Sequence, residues 1–158
     1  MKKIFYLFTF IISLVLVNGC LNSDISTVKN GYLNDFKTIS VGEAFDKYKY
    51  FTDVKWDSFE TDNGTKIVEV KGYLNEDANK TKISNKPYLL TQFKINKADN
   101  TFEISYMGIT IKDKNNKEKD ISFNSKLMDF TLYDIYNNKN FLIDSGWKMI
   151  FYLTAALQ

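Results

Sequence analysis

The run Asp53–Glu60 and the run Thr65–Leu74 flank the tetrapeptide Thr61-Asp62-Asn63-Gly64. An Asn-Gly pair between two strand-like runs is the strongest short-range signal for a β-hairpin, because both residues tolerate the positive φ of a tight turn. The two runs are therefore expected to pair antiparallel across a type I′ turn at Asn63-Gly64. In the second arm Lys66, Val68, Val70 and Gly72 alternate with Ile67, Glu69, Lys71 and Tyr73, so neither face is cleanly polar.

The rest of the chain must extend this hairpin or cover it. Tyr88–Asn96 and Thr101–Ile111, joined by Lys97-Ala98-Asp99-Asn100, read as a second hairpin. Strict alternation puts Phe102, Ile104 and Tyr106 on one face and Glu103 and Ser105 on the other, as in half-buried antiparallel sheet. Asn75–Asn85 is a polar loop, residues 113–120 form a charged turn, and Ile121–Phe123 begins another strand. Ser40-Val41-Gly42-Glu43 fits a capping box, and Val41, Ala44, Phe45 and Tyr48 follow at helical spacing, giving a helix over about 41–50 that Gly42 weakens slightly. Ser125–Tyr136 places Met128, Leu132, Ile135 and Tyr136 on one helical face, capped by Asn124 or Ser125. The apolar tail Trp147–Leu157 fits a strand or a helix, and a strand over Trp147–Thr154 is preferred. The expected fold is α+β: a two-layer sandwich with a mainly antiparallel sheet of four to six strands and two helices on one face.

At the N-terminus, Lys2 and Lys3 precede the apolar run Ile4–Val17, which is short for a membrane span of about 20 residues but suits the core of an export signal. The run ends in Val17-Asn18-Gly19-Cys20, and Cys20 is the only cysteine in the chain. This ending resembles the lipobox of bacterial lipoproteins. Gly19 and Cys20 match that pattern, Asn18 departs from its usual small residue, and Val17 stands where leucine is commoner. The resemblance implies cleavage between Gly19 and Cys20 and acylation of the Cys20 thiol. A plain signal peptide or an uncleaved anchor would leave the cysteine's position unexplained. Two or more acyl chains hold a protein stably on a bilayer, where one does so only marginally. In Gram-negative lipoproteins an Asp after the cysteine favours inner-membrane retention; Leu21 stands there, so the resemblance implies the outer membrane, facing the periplasm or the cell surface. The expected organisation is a signal over 1–19, a lipidated tether over 20–27 and one α+β domain over 28–158.

Lys2 and Lys3 would leave with the signal, making the exported part formally neutral although the whole chain carries +2. All 21 basic residues are lysines. Without guanidinium forks or a basic surplus, a nucleic-acid partner is not expected. Histidine is absent, so Ser-His and Cys-His nucleophile pairs cannot form, and with Cys20 acylated, as the resemblance implies, imidazole or thiolate metal sites are not expected. Neither acidic turn has EF-hand spacing: aligning Gly64 puts Phe59 and Thr61 at acid positions, and Glu118 falls where the turn from Asp113 needs glycine. Asp57 and Glu60 are the nearest pair for carboxylate catalysis, though solvent-facing strand acids have the same pattern. Ser125 and Lys126 are adjacent on a helix and do not face each other. The expectation is a chain that is not an enzyme and has no cofactor or metal.

Binding residues are sought among the aromatics. Trp56 alternates with Val54 and Ser58, which favours the core, whereas Trp147, after Ser145-Gly146, fits core or surface; Trp147 and Tyr106 are the candidate binding residues. The segments VKNGYL, TISVGEAFDKYKYF and VKWDSFETDNGTKIVEVKGYL also resemble a pattern in small uncharacterised exported proteins and lipoproteins of Gram-negative bacteria, through Gly42, Ala44, Trp56, Val68, Val70 and Gly72. That resemblance implies an α+β fold and an envelope location and supplies no activity. The expected function is an envelope lipoprotein that binds a partner protein as an assembly, adaptor or inhibitory module. The alternative is a periplasmic binder of a small apolar or sugar ligand, with a cavity lined by Tyr88, Phe93, Tyr106 and Tyr133.

Overall fold

The computed structural model describes residues 23–80, 83–112 and 115–143. Gly19, Cys20, Trp147 and the expected strand Trp147–Thr154 lie outside the described residues. Among the described residues five strands, β1 (Phe51–Glu60), β2 (Lys66–Leu74), β3 (Tyr88–Asn96), β4 (Thr101–Lys112) and β5 (Glu118–Ser122), form an open antiparallel sheet in which each pairs with the next. Among the described residues three helices accompany it: α1 (23–30), α2 (Val41–Asp46) and α3 (Ser125–Tyr136). This is the expected α+β class. Among the described residues no helix is long and apolar enough to cross a membrane.

The first hairpin forms as expected, but its turn is displaced by one residue. The Gly64 amide donates to the Thr61 carbonyl at 2.8 Å and the Thr61 amide donates to the Thr65 carbonyl at 2.9 Å. Gly64 alone in the loop has positive φ, at 78°, whereas a type I′ turn requires it at Asn63 as well. The cause is local side-chain bonding: Asn63 Oδ1 accepts from the Thr65 amide at 3.2 Å and from the Thr61 hydroxyl at 2.6 Å. This Asx-type bonding leaves the left-handed position to Gly64 alone. In the second hairpin Asn100 takes that position, with φ 57°.

The register shifts between Phe51 and Asp53 at the start of β1, and again within the pairing of β3 with β4. Phe93 pairs with Ile104 and Gln92 with Tyr106, so Ser105 is an extra residue opposite Gln92. This β-bulge reverses the phase of the strand. Phe102 and Ile104 stay on the face of Phe93 and Ile95, but Tyr106 crosses to the opposite face, correcting the expected alternation, and Met107, Ile109 and Ile111 enter the core.

The core lies on the face bearing Val68 and Val70 of β2, Leu89, Thr91 and Phe93 of β3, and Met107 and Ile109 of β4, all nearly or wholly inaccessible. Phe45 of α2 meets this face edge-on, with ring centroids 6.2 Å from Phe93 and 6.0 Å from Trp56. Trp56 also stacks on Phe93 and donates its indole N–H to Asp46 at 2.7 Å. It belongs to the core side, as its spacing implied.

Residues 23–27, expected in the tether, belong instead to α1. Val28 is fully buried, Ile25 packs on the core, and Asp24 pairs with Lys66 at 2.6 Å. Two glycines bring α1 close to its neighbours. A Cβ at Gly31 would lie 2.3 Å from the Phe102 ring, and one at Gly42 would lie 2.8 Å from the Lys29 carbonyl oxygen. Close approach thus accounts for a glycine inside α2.

That helix stops at Asp46, short of the expected 50. Ser40 caps it by accepting from the Glu43 amide, while the Glu43 carboxylate pairs with Lys47 instead of closing the box. Beyond it Tyr48 turns inward and donates its hydroxyl to the Lys139 carbonyl, joining α2 to the segment after α3. Helix α3 has its expected limits, with Asn124 as cap accepting from the Leu127 amide at 3.0 Å.

The turn geometry yields a test. A Cβ at Gly64 meets no atom closer than 3.7 Å, so substitution there is opposed by backbone conformation and not by crowding. Gly64→Val is expected to lower stability by about 1–3 kcal/mol, and Gly64→Asn by distinctly less, since Asn tolerates the left-handed region. Denaturant unfolding of both variants checks this; equal stabilities would contradict the assigned turn.

Candidate functional site

The bulge at Ser105 places Tyr106 on the sheet face opposite the core. Cross-strand register there aligns Asp57, Glu69, Gln92 and Tyr106 in one row. The next row holds Lys55, Lys71, Leu90, Gly108 and Ser122, and the third holds Asp53, Tyr73, Tyr88, Thr110 and Asp120. Side chains in adjacent rows touch, and they form one connected strip. Gln92 donates to Glu69 at 2.8 Å, and Glu69 pairs with Lys71 at 3.0 Å. The Lys71 ammonium lies 5.9 Å from the Tyr88 ring centroid, and Tyr88 packs against Tyr73 at 5.2 Å. Lys55 covers Tyr73 at 5.4 Å and pairs with Asp53.

Gly108 shapes the middle of this strip. A Cβ there would lie 2.6 Å from the Tyr106 hydroxyl and 2.7 Å from the Ile121 carbonyl oxygen. The missing side chain lets the Tyr106 phenol lie down across the sheet. Tyr73, Tyr88 and Tyr106 are each half-buried by these neighbours, leaving ring surface beside bonded charges.

The electrostatics follow from the contacts. The Glu69 hydrogen bond holds the Lys71 ammonium above its ordinary pKa, against the opposing effect of burial. Burial pushes the Tyr88 phenol up, with Thr110 hydrogen bonding acting against it, and burial likewise raises Tyr106, aided by the nearby Asp120 carboxylate.

The remaining sequence candidates separate. Asp57 and Glu60 are three residues apart on β1 and so project to opposite faces; Asp57 accepts from the Ser58 amide and Glu60 pairs with Lys97. The aromatics proposed to line one cavity do not meet: Phe93 is sealed in the core, Tyr88 and Tyr106 lie on the opposite face, and Tyr133 is 49% exposed on α3. Among the described residues no group of three or more His, Cys, Asp or Glu is placed to hold a metal ion. Sequence spacing missed Tyr73, Lys71 and Gly108 as members of the strip. The alternation of Lys71 and Tyr73 with Val70 and Gly72 was their available signal.

The tyrosines predict alkaline behaviour. Tyr136, stacked on Phe36, has a buried hydroxyl without a partner among the described residues, and burial pushes it from the ordinary 10.0 up to about 12. A phenol with a raised folded pKa binds its proton more tightly folded than unfolded. Its contribution to stability is complete below the unfolded value and is lost as pH rises through the folded one. The thermal midpoint is therefore expected to fall from pH 10 to about 12, and Tyr136→Phe to flatten that fall without lowering the midpoint at neutral pH. Thermal melts across this range check it; an unchanged slope would contradict the assignment.

The chain matches no family model, no curated protein and no solved structure.

Proposed function

We propose that this chain is an envelope lipoprotein, held by acylated Cys20 on the outer membrane facing the periplasm or the cell surface, whose domain binds a partner protein. In this reading α1 to α3 form a second layer over one sheet face, and the tyrosine strip on the other face meets the partner. The observation that carries it is the strip itself: Tyr73, Tyr88 and Tyr106 half-exposed on one face, connected by Lys55, Lys71, Glu69 and Gln92. Tyrosine supplies large contact area with few rotatable bonds and is enriched among residues that dominate interface energy. The lysines and carboxylates are already paired, so they can border a partner without leaving a buried charge uncompensated.

The N-terminal pattern Val17-Asn18-Gly19-Cys20 supports the anchor. Cys20→Ser is expected to abolish incorporation of labelled fatty acid and lipoprotein-type processing; unchanged labelling would remove the anchor from this reading.

Crosslinking of the acylated protein in its native cells tests the interface. A discrete co-purifying protein is expected, with recovery reduced about tenfold or more in a Tyr73→Ser, Tyr88→Ser double variant. A protein that remains membrane-bound and yields no partner would overturn the interaction role.

A further inference from the structure

A second concave surface lies away from the tyrosine strip, at the end of the sheet where the two hairpin turns meet the α1–α2 connection. It is a cleft of about 880 Å³, lined by Tyr32, Asn34, Thr65, Asn96, Asn100 and Phe102 together with three lysines. That volume falls within the roughly 300–1,000 Å³ of small-molecule sites. We infer that this cleft binds a neutral saccharide, a role distinct from the protein contact proposed for the tyrosine strip.

Charge is the first argument. The lining lysines are each matched by an acid: Lys66 with Asp24 at 2.6 Å, Lys97 with Glu60 at 3.3 Å and Lys94 with Glu103 at 3.8 Å. An anionic ligand would have to compete with these carboxylates for every cation. Apolar surface is the second argument. The rings of Tyr32 and Phe102 and the Ile95 side chain are its apolar part, while amides, hydroxyls and ion pairs supply most of the remaining wall, so a lipid chain would leave those polar groups unsatisfied. A sugar hydroxyl both donates and accepts, as do the Asn amides and Thr hydroxyls of this lining. A pyranose also has an apolar C–H face, and Tyr32, 56% exposed at the cleft, supplies a ring for it.

The frame is held in place. Gly31 presses against Phe102 so closely that a Cβ would meet the ring at 2.3 Å, which fixes the backbone beside Tyr32 against β4. Asn100 is held in the left-handed region at φ 57° by the turn, and Asp99 ties that turn through the Thr101 amide and hydroxyl. The ligand therefore meets amides and a ring on supports set before it arrives, which limits the ordering cost of binding.

The test uses the full chain in detergent, applied to an array of immobilised neutral gluco-, manno-, galacto- and chito-oligosaccharides with acidic glycans alongside. Binding confined to neutral members is expected, weakened about tenfold or more by Tyr32→Ala and by Asn100→Gly. Asn100→Gly removes the amide while suiting the backbone, and thermal melts establish that both variants fold. Tyr133→Ala, on α3, is expected to leave binding unchanged. Retention only on acidic glycans, no retention on any member, or equal retention by folded Tyr32→Ala and Asn100→Gly variants would each overturn the proposal.

Discussion

The extra residue at Ser105 governs which side chains of β4 meet the core. Without it the strand would keep one phase, and Tyr106 would join Phe102 and Ile104 inside while Met107, Ile109 and Ile111 turned outward. Burying each of those aliphatic side chains is worth about 1.5–3 kcal/mol, whereas a disrupted ladder hydrogen bond forfeits about 1 kcal/mol. The bulged register is therefore strongly preferred. The Ser105 hydroxyl also recovers one contact by donating to the Gln92 carbonyl at 3.2 Å. The tyrosine strip is a by-product of this core requirement: Tyr106 lies opposite Gln92 because Met107 and Ile109 are needed on the other side.

The same reasoning connects the helices to both candidate surfaces. Phe45, Trp56 and Phe93 form an aromatic contact on the core face, and the Lys29 ammonium lies over the Trp56 ring at 5.2 Å while pairing with Asp46 at 2.5 Å. α1 and α2 thus share one indole as a fixed point. Gly31 and Gly42 let the segment between them run close to the sheet and to Lys29, which brings Tyr32 to the hairpin turns. The positions of Tyr32 at the cleft and Tyr106 on the strip are set by backbone packing and not by charge.

Much of the sheet was legible because its signals were local. The limits of β3 and α3, the Asn124 cap and the two hairpins follow from turn residues and period, which operate over a few positions. The bulge was not legible, because Phe102 to Tyr106 alternates regularly and the phase changes only where β4 must fit the residues already fixed on β3. Helix α1 was missed for a different reason. Ser23, Asp24, Ser26 and Thr27 give it a polar character, and its place depends on Ile25 and Val28 finding a sheet assembled from later sequence. The tyrosine strip was half legible: Tyr106 stood out as a residue, but its neighbours Lys71 and Tyr73 belong to another strand, and register alone joins them.

A chain whose cations are all lysine has few ways to make a directional charged contact, and this one uses its lysines mainly against its own surface. On the strip Lys55 and Lys71 are occupied by a carboxylate and a ring each; at the cleft Lys66, Lys94 and Lys97 each face an acid. Paired charges produce little field beyond a few ångströms, so neither surface is built to attract a ligand from a distance. Recognition at both must rest on shape, ring contact and short hydrogen bonds made after collision. Such recognition suits a partner or saccharide already concentrated beside the chain, which is the circumstance an anchor at Cys20 would create by confining the domain to one surface.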